Sequence, residues 1–193
     1  MIARAASLVA AASLTAVAAP APALAEPAGT AAATAPGLRA DVEVDPTAYV
    51  LGGYSLHVGL GYQRLRVDLG AFAMEVPAAI HGNDGVTQFF DGFGAKLQYF
   101  PFAAQRGGFA GVDAGVSHVL ARRDGTDLAA RQTQLSAGVH AGWRFLIAAD
   151  FYATAWVGVS RQLGADDVML GGEPVEAQRW VVFPAIHLGY RIR

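Results

Sequence analysis

Arg131 to Phe145 reads RQTQLSAGVHAGWRF and alternates without a break. Gln132, Gln134, Ser136, Gly138, His140, Gly142 and Arg144 fall on one parity, while Thr133, Leu135, Ala137, Val139, Ala141, Trp143 and Phe145 fall on the other. Successive side chains of a strand point to opposite faces, so this is one strand with a polar face and an apolar face. It is about as long as a tilted bilayer-spanning strand needs to be. The fold expected is all-β: an eight-stranded antiparallel up-and-down transmembrane β-barrel, oily outside and polar within.

Working outward, the remaining strands are expected at 38–44, 53–61, 65–76, 88–100, 108–121, 151–163 and 179–192. The first, LRADVEV, is short and carries charges on both parities; without it the count would be seven, odd for a bacterial single-chain barrel. Connections near Gln63, at 101–107 and at 146–150 are short or pinned by Pro and Gly, as periplasmic turns are. Those at 77–87, 122–130 and 164–178 are longer and polar, as extracellular loops are. Pro184 lies inside the last strand, where it removes a ladder donor, so a bulge or one missing bond is expected at the closing seam.

The N-terminus points to export. Arg4 precedes an apolar run from Ala5 to Ala19, then Pro20, Pro22 and Ala23-Leu24-Ala25, the layout of a secretory signal peptide over 1–25. Residues 26–36 read as a flexible leader and 37–193 as the barrel. With no cysteine in the chain, a lipoprotein signal and thiolate chemistry are excluded. A hydrophobic content of 53% with no later helix-length apolar run is reconciled by alternation. A formal net charge of -2 argues against nucleic acid as a partner.

Aromatic side chains fall in two belts, as membrane interfaces favour. Tyr62, Tyr99, Trp143, Phe145, Phe151 and Tyr190 are expected at the inner rim, and Tyr54, Phe89 and Trp180 at the outer one. Glycine is concentrated on the lumen parity, among others at Gly94, Gly115, Gly138 and Gly158, which suits a narrow, curved sheet.

On these features the chain resembles, from Leu38 to Arg193, the small outer-membrane β-barrels of Gram-negative bacteria, the group that includes OmpA-like transmembrane domains, OmpX and OmpW. The resemblance lies in pattern. His187-Leu188-Gly189-Tyr190-Arg191-Ile192-Arg193 is similar to the terminal assembly signal of such proteins, with its final aromatic missing. The resemblance implies residence in the cell outer membrane, contact with its lipid and lipopolysaccharide, and insertion by the outer-membrane assembly machinery.

Parity and strand direction assign Arg66, Asp68, Lys96, Gln98, Asp113, His140, Arg144, His187 and Arg191 to the lumen, with His57 beside them. Eight strands enclose an interior that side chains can fill, and buried charges must be paired; Lys96 is placed to reach Asp68 or Asp113. The main expectation is a plugged polar lumen in a non-enzymatic protein with a structural, envelope or surface-interaction role. One alternative is a narrow channel or a binder of small or hydrophobic molecules, which requires a continuous lumen or a gap in the wall. A soluble lipocalin-like barrel would reverse the sidedness.

An outer-membrane lipid hydrolase is the enzymatic alternative. Against it, Ser117 and His118 are adjacent and so point to opposite faces, and GYSLH, GVSHV and GVSRQ lack the second glycine of G-x-S-x-G. His57, His140 and His187 share the lumen but are expected at different depths, so no metal and no cofactor is expected. The acidic residues Asp166, Asp167, Glu173 and Glu176 read as a solvated loop.

Overall fold

The computed structural model describes residues 37–192. The expected signal peptide, the leader and Arg193 lie outside the described residues. The strands are β1 (Leu38–Val44), β2 (Tyr54–Tyr62), β3 (Leu65–Val76), β4 (Val86–Tyr99), β5 (Gly107–Arg123), β6 (Ala129–Leu146), β7 (Phe151–Leu163), β8 (Val168–Leu170), β9 (Glu173–Val175) and β10 (Trp180–Ile192). Two short helices, α1 (Pro46–Val50) and α2 (Ala78–His81), lie in the first and second outer connections. Eight strands close a barrel in the order β1-β10-β7-β6-β5-β4-β3-β2, and β8 pairs with β9 as a separate hairpin. Every neighbouring pair in the ring is antiparallel.

Sidedness follows from the alternation. Leu135, Val139 and Val157 are 53%, 61% and 49% exposed, whereas Gln134, His140 and Arg144 are 7%, 3% and 1% exposed. Large apolar residues bared on the outside of a closed ring, with charges sealed inside, reverse the layout of a soluble barrel. The lipocalin-like alternative is thereby overturned. No helix among the described residues is long and apolar enough to cross a membrane; the strands supply the span.

Three departures from the sequence reading have physical causes. The β5–β6 hairpin runs on to the pair Arg122↔Ala129, because ladder bonds need only backbone and continue above an apolar band into polar sequence. The segment read as an acidic loop contains the β8–β9 hairpin, turning at Gly171 and Gly172, both with positive φ. Its Leu170 and Val175 pack with Val86 and Ala121 over the outer end of the barrel. Residues 46–50, expected within a plain connection, form α1: Asp45 is the N-cap, its Oδ1 accepting from Thr47 N at 2.8 Å, and Pro46 opens the first turn.

Pro184 causes no bulge. The β10–β7 register runs unbroken from Trp180↔Arg161 to Tyr190↔Phe151.

Candidate functional site

The lumen divides by depth. In its inner half the centre is the Arg66 guanidinium, carried by β3 and almost fully buried. It donates from Nη2 and Nε to Asp41, and from Nη1 to Gln98 Oε1 at 3.0 Å, and lies 3.0 Å from Asp68 and 3.3 Å from Glu43. Arg144, from β6 across the lumen, donates from Nη2 to Glu43 Oε1 at 2.6 Å and from Nε to Thr154 Oγ1 at 3.2 Å. Its guanidinium also lies over the Tyr152 and Phe100 rings, at 4.3 and 5.2 Å. Ion pairs thus run from wall to wall.

A carboxylate can only accept, so each histidine beside one donates to it. His57 Nδ1 donates to Asp68 Oδ1 at 2.9 Å, His187 Nδ1 to Glu43 Oε2 at 3.0 Å and His140 Nδ1 to Asp113 Oδ2 at 3.2 Å. His140 Nε2 is then free to accept from Gln98 Nε2 at 3.4 Å. The outcome is a chain from Arg66 through Gln98 and His140 to Asp113, which Ser160 also supports.

The inner mouth is closed from below. Gln105, in the turn after β4, is 1% exposed and sits under Gly61, where a Cβ would collide with its amide. Arg191 donates to Gln105 O at 3.1 Å and stands near the Tyr152 ring. Phe100 and Phe109 pack together beside it. This turn is a stopper.

Above Lys96 the lumen opens into a cavity of about 570 Å³. Lys96 forms part of its floor, 3.3 Å from Asp68 and 5.1 Å from the Trp156 ring. Phe72, Phe90, Val119 and Phe183 give it an apolar side; Ser117 and Gln134 belong to a polar one. Loops close over it: Asn83 bonds the Glu176 backbone in both directions, and Gln178 Nε2 donates to Ile80 O.

The structure brings Arg66, Asp68, Lys96, Asp113, His140, Arg144 and His187 into one network, with Arg191 beneath it. It adds Asp41 and Glu43 from β1, which the sequence reading left unassigned although the parity of LRADVEV places both on one face. Gln105, Tyr152 and Thr154 were also missed; Gln105 sits in a turn, where alternation gives no signal. His57 and His187, expected at different depths, have ring centroids 4.7 Å apart. Each serves a different carboxylate, and among the described residues no group of three or more metal-binding side chains is assembled.

Tyr54, Tyr99, Trp143, Phe151, Trp180 and Tyr190 are all exposed on the outside. His118 also faces outward, hydrogen-bonded through Nδ1 to Asp91 Oδ1 at 3.0 Å, with Arg131 3.5 Å from the same carboxylate. No hydroxyl among the described residues is hydrogen-bonded to that histidine.

A closed ring with an apolar exterior and an interior of buried, paired charges defines the class: an eight-stranded transmembrane β-barrel of the outer-membrane type. The chain is similar in structure to the N-terminal β-barrel domain of Pseudomonas aeruginosa OprF, with 16% identity, 80% of this chain and 96% of that chain covered, and a TM-score of 0.42. It is also similar to a major outer membrane protein from Thermus thermophilus, with 13% identity, coverage of 81% and 100%, and a TM-score of 0.48. For Neisserial surface protein A the identity is 16%, the coverage 80% and 94%, and the TM-score 0.43. No family model and no curated protein sequence matches the chain.

Proposed function

We propose that this is a non-conducting, non-enzymatic barrel of the outer membrane, with a structural or surface-interaction role in the envelope. The observation that carries the reading is the plug: Arg144–Glu43 spans the lumen from β6 to β1, Arg66 on β3 reaches over β2 to Asp41 and Glu43 on β1, and Gln105 stops the inner mouth. Ions would have to displace paired charges to pass, and separating a buried pair costs several kcal/mol. Absence of a hydroxyl partner for His118 supports the non-enzymatic part, since nucleophilic catalysis needs the base within hydrogen-bonding reach. Lipopolysaccharide is the proposed lipid partner, met by the outward Arg131 and by Arg161, which stacks on Trp180 near the outer rim. The assembly machinery remains the proposed route of insertion.

The test is planar-bilayer recording of the refolded protein. No steady conductance is expected; a stable open level in the unsubstituted protein would refute the plug.

A further inference from the structure

Four buried polar groups at the inner end of the lumen have no hydrogen-bond partner among the described residues: Arg144 Nη1, Gln105 Nε2, Arg191 Nε and the Tyr152 hydroxyl. They belong to one cluster. The guanidinium groups of Arg144 and Arg191 both lie against the Tyr152 ring, 4.3 and 5.8 Å from its centre, and Arg191 Nη2 donates to Gln105 O at 3.1 Å. Arg144, Gln105 and Tyr152 are each 1% exposed, so bulk water does not reach them. The guanidinium and amide nitrogens can only donate, and a phenol can also donate. What the cluster lacks is an acceptor.

Charge decides which acceptor. From Lys96 down to the inner mouth, the lumen parity carries five cationic side chains, Arg39, Arg66, Lys96, Arg144 and Arg191. Against them stand four carboxylates, Asp41, Glu43, Asp68 and Asp113. Asp41 is opposite Arg191 in the β1–β10 register, yet Arg66 engages it from the other side. Glu43 receives Arg144, and Asp68 receives Lys96. Arg191 is left facing its own sign: of the charges that act on it, Arg144 and Arg39 come first, ahead of Asp41. A surplus cation sealed beside a second one is costly unless an opposite charge joins it. A water molecule would accept from these donors but leave the surplus in place.

An anion meets both demands, and the packing sets its size. Phe100 and Phe109 lie 5.1 Å apart, centre to centre, with Phe100 beneath Arg144. Gln105 caps the mouth, so a phosphate or a lipid head group would have to displace the stopper. We propose that the inner end of the plug binds one halide ion, chloride in ordinary media, through Arg144 Nη1, Arg191 Nε, Gln105 Nε2 and the Tyr152 hydroxyl. The ion is a counter-charge built into the plug. This inference rests on the side chains of the plug and not on its closure: a conducting barrel would overturn the non-conducting reading and leave the halide site to its own test.

That test is urea unfolding of the full barrel in vesicles, in sodium chloride against sodium gluconate at one ionic strength. Chloride is expected to raise the midpoint saturably, the unfolding constant falling about 100-fold at 100 times the dissociation constant. Bromide should act alike. Gln105→Glu places a carboxylate among the same donors, and Arg191→Gln removes the surplus cation; in both the midpoint should no longer depend on chloride. Gln105→Glu in gluconate should also match the unsubstituted protein in chloride. If one variant loses its heat-modifiable gel shift, the other carries the comparison, and bromide-soaked crystals of the unsubstituted barrel locate the ion directly, with an anomalous peak expected between Arg144 and Arg191. A midpoint indifferent to chloride, or a chloride dependence that survives these substitutions, would overturn the proposal. Bromide found only at the surface would mean an adventitious ion only and overturn it as well, and phosphate that replaces chloride at equal concentration would overturn the halide assignment.

Discussion

The inner and outer halves of the lumen are built by the same strands with the same alternation, yet one is filled and the other holds a cavity. Side-chain size on the lumen parity makes the difference. Inward positions of the inner half carry Arg66, Gln98, Arg144 and Tyr152, all nearly fully buried. Higher up, the same parity carries Gly94, Gly115, Ser117, Ser136, Gly138, Gly158 and Ser160. A barrel of eight strands has room for large side chains or for a ligand, and this one divides the choice by depth. Charge divides likewise: the inner half is a lattice of ion pairs, the outer half mostly amides, hydroxyls and hydrocarbon.

The sharpest way to break this contrast is to remove Glu43, which receives Arg144, lies 3.3 Å from Arg66 and accepts from His187. Taking one partner from a buried pair leaves an uncompensated charge, and Glu43→Ala is expected to cost about 3–5 kcal/mol in urea unfolding. Ser136→Ala, facing the cavity, is expected to stay within about 0.5 kcal/mol. Equal losses from the two would show that the outer half is as tightly constrained as the inner.

Aromatic truncation sharpens the comparison without touching charge. Phe100 is fully buried against Phe109 and beneath Arg144, so Phe100→Ala should cost about 3–5 kcal/mol, the usual range for a packed phenylalanine. Phe183 borders a space that already exists, so Phe183→Ala adds little new void and should cost clearly less in the same melt.

Overpacking gives a smaller effect of the opposite kind. A Cβ at Gly189 would stand 2.2 Å from the Tyr152 ring, and Tyr152 is held by Arg144 above one face. Gly189→Ala should destabilise the barrel by about 1–3 kcal/mol, the cost of forcing extra volume into a packed interior. At Gly94 the nearest atom to a new Cβ is Ala114 O at 3.2 Å, so Gly94→Ala should be milder. The temperature of the heat-modifiable gel shift ranks the two.

Strand parity was legible because it depends only on the side-chain period. It separates Asp68 from Leu69 and Arg144 from Phe145 without knowledge of any neighbour. The pairing across the lumen was not legible, because it depends on how far the closing strand is staggered. Glu43 meets Arg144 only because β1 enters the ring between β10 and β2 at the register Glu43↔Gly189 and Glu43↔His57. Sequence also held two unused signals: Asp45-Pro46 as a helix start, and Gly171-Gly172 between the short runs 168–170 and 173–175 as a hairpin turn. The cavity was hidden for a different reason. A void is the absence of side chains over several strands at one depth, and no single segment shows it.

The smallest expected effect concerns what covers that cavity. His81 ends α2 and is buried beneath the loops; its Nδ1 accepts from Asn83 N at 3.1 Å. Asn83 in turn grips the Glu176 backbone, so the imidazole supports a latch between two outer loops. Burial pushes the His81 pKa below its ordinary value, against a weaker upward pull from Asp124. Since the opened loop binds a proton more readily than the closed one, the latch is held at neutral pH and loosens as pH falls through about 6.5, the ordinary value for histidine. A proton on Nδ1 would also face the Asn83 N–H donor. Amide exchange at Asn83 and Glu176, corrected for intrinsic rates, should therefore speed up relative to β6 amides between about pH 7.5 and 5.5. In His81→Gln the same correction should leave no pH step, and a step that persists there would assign the opening to another group.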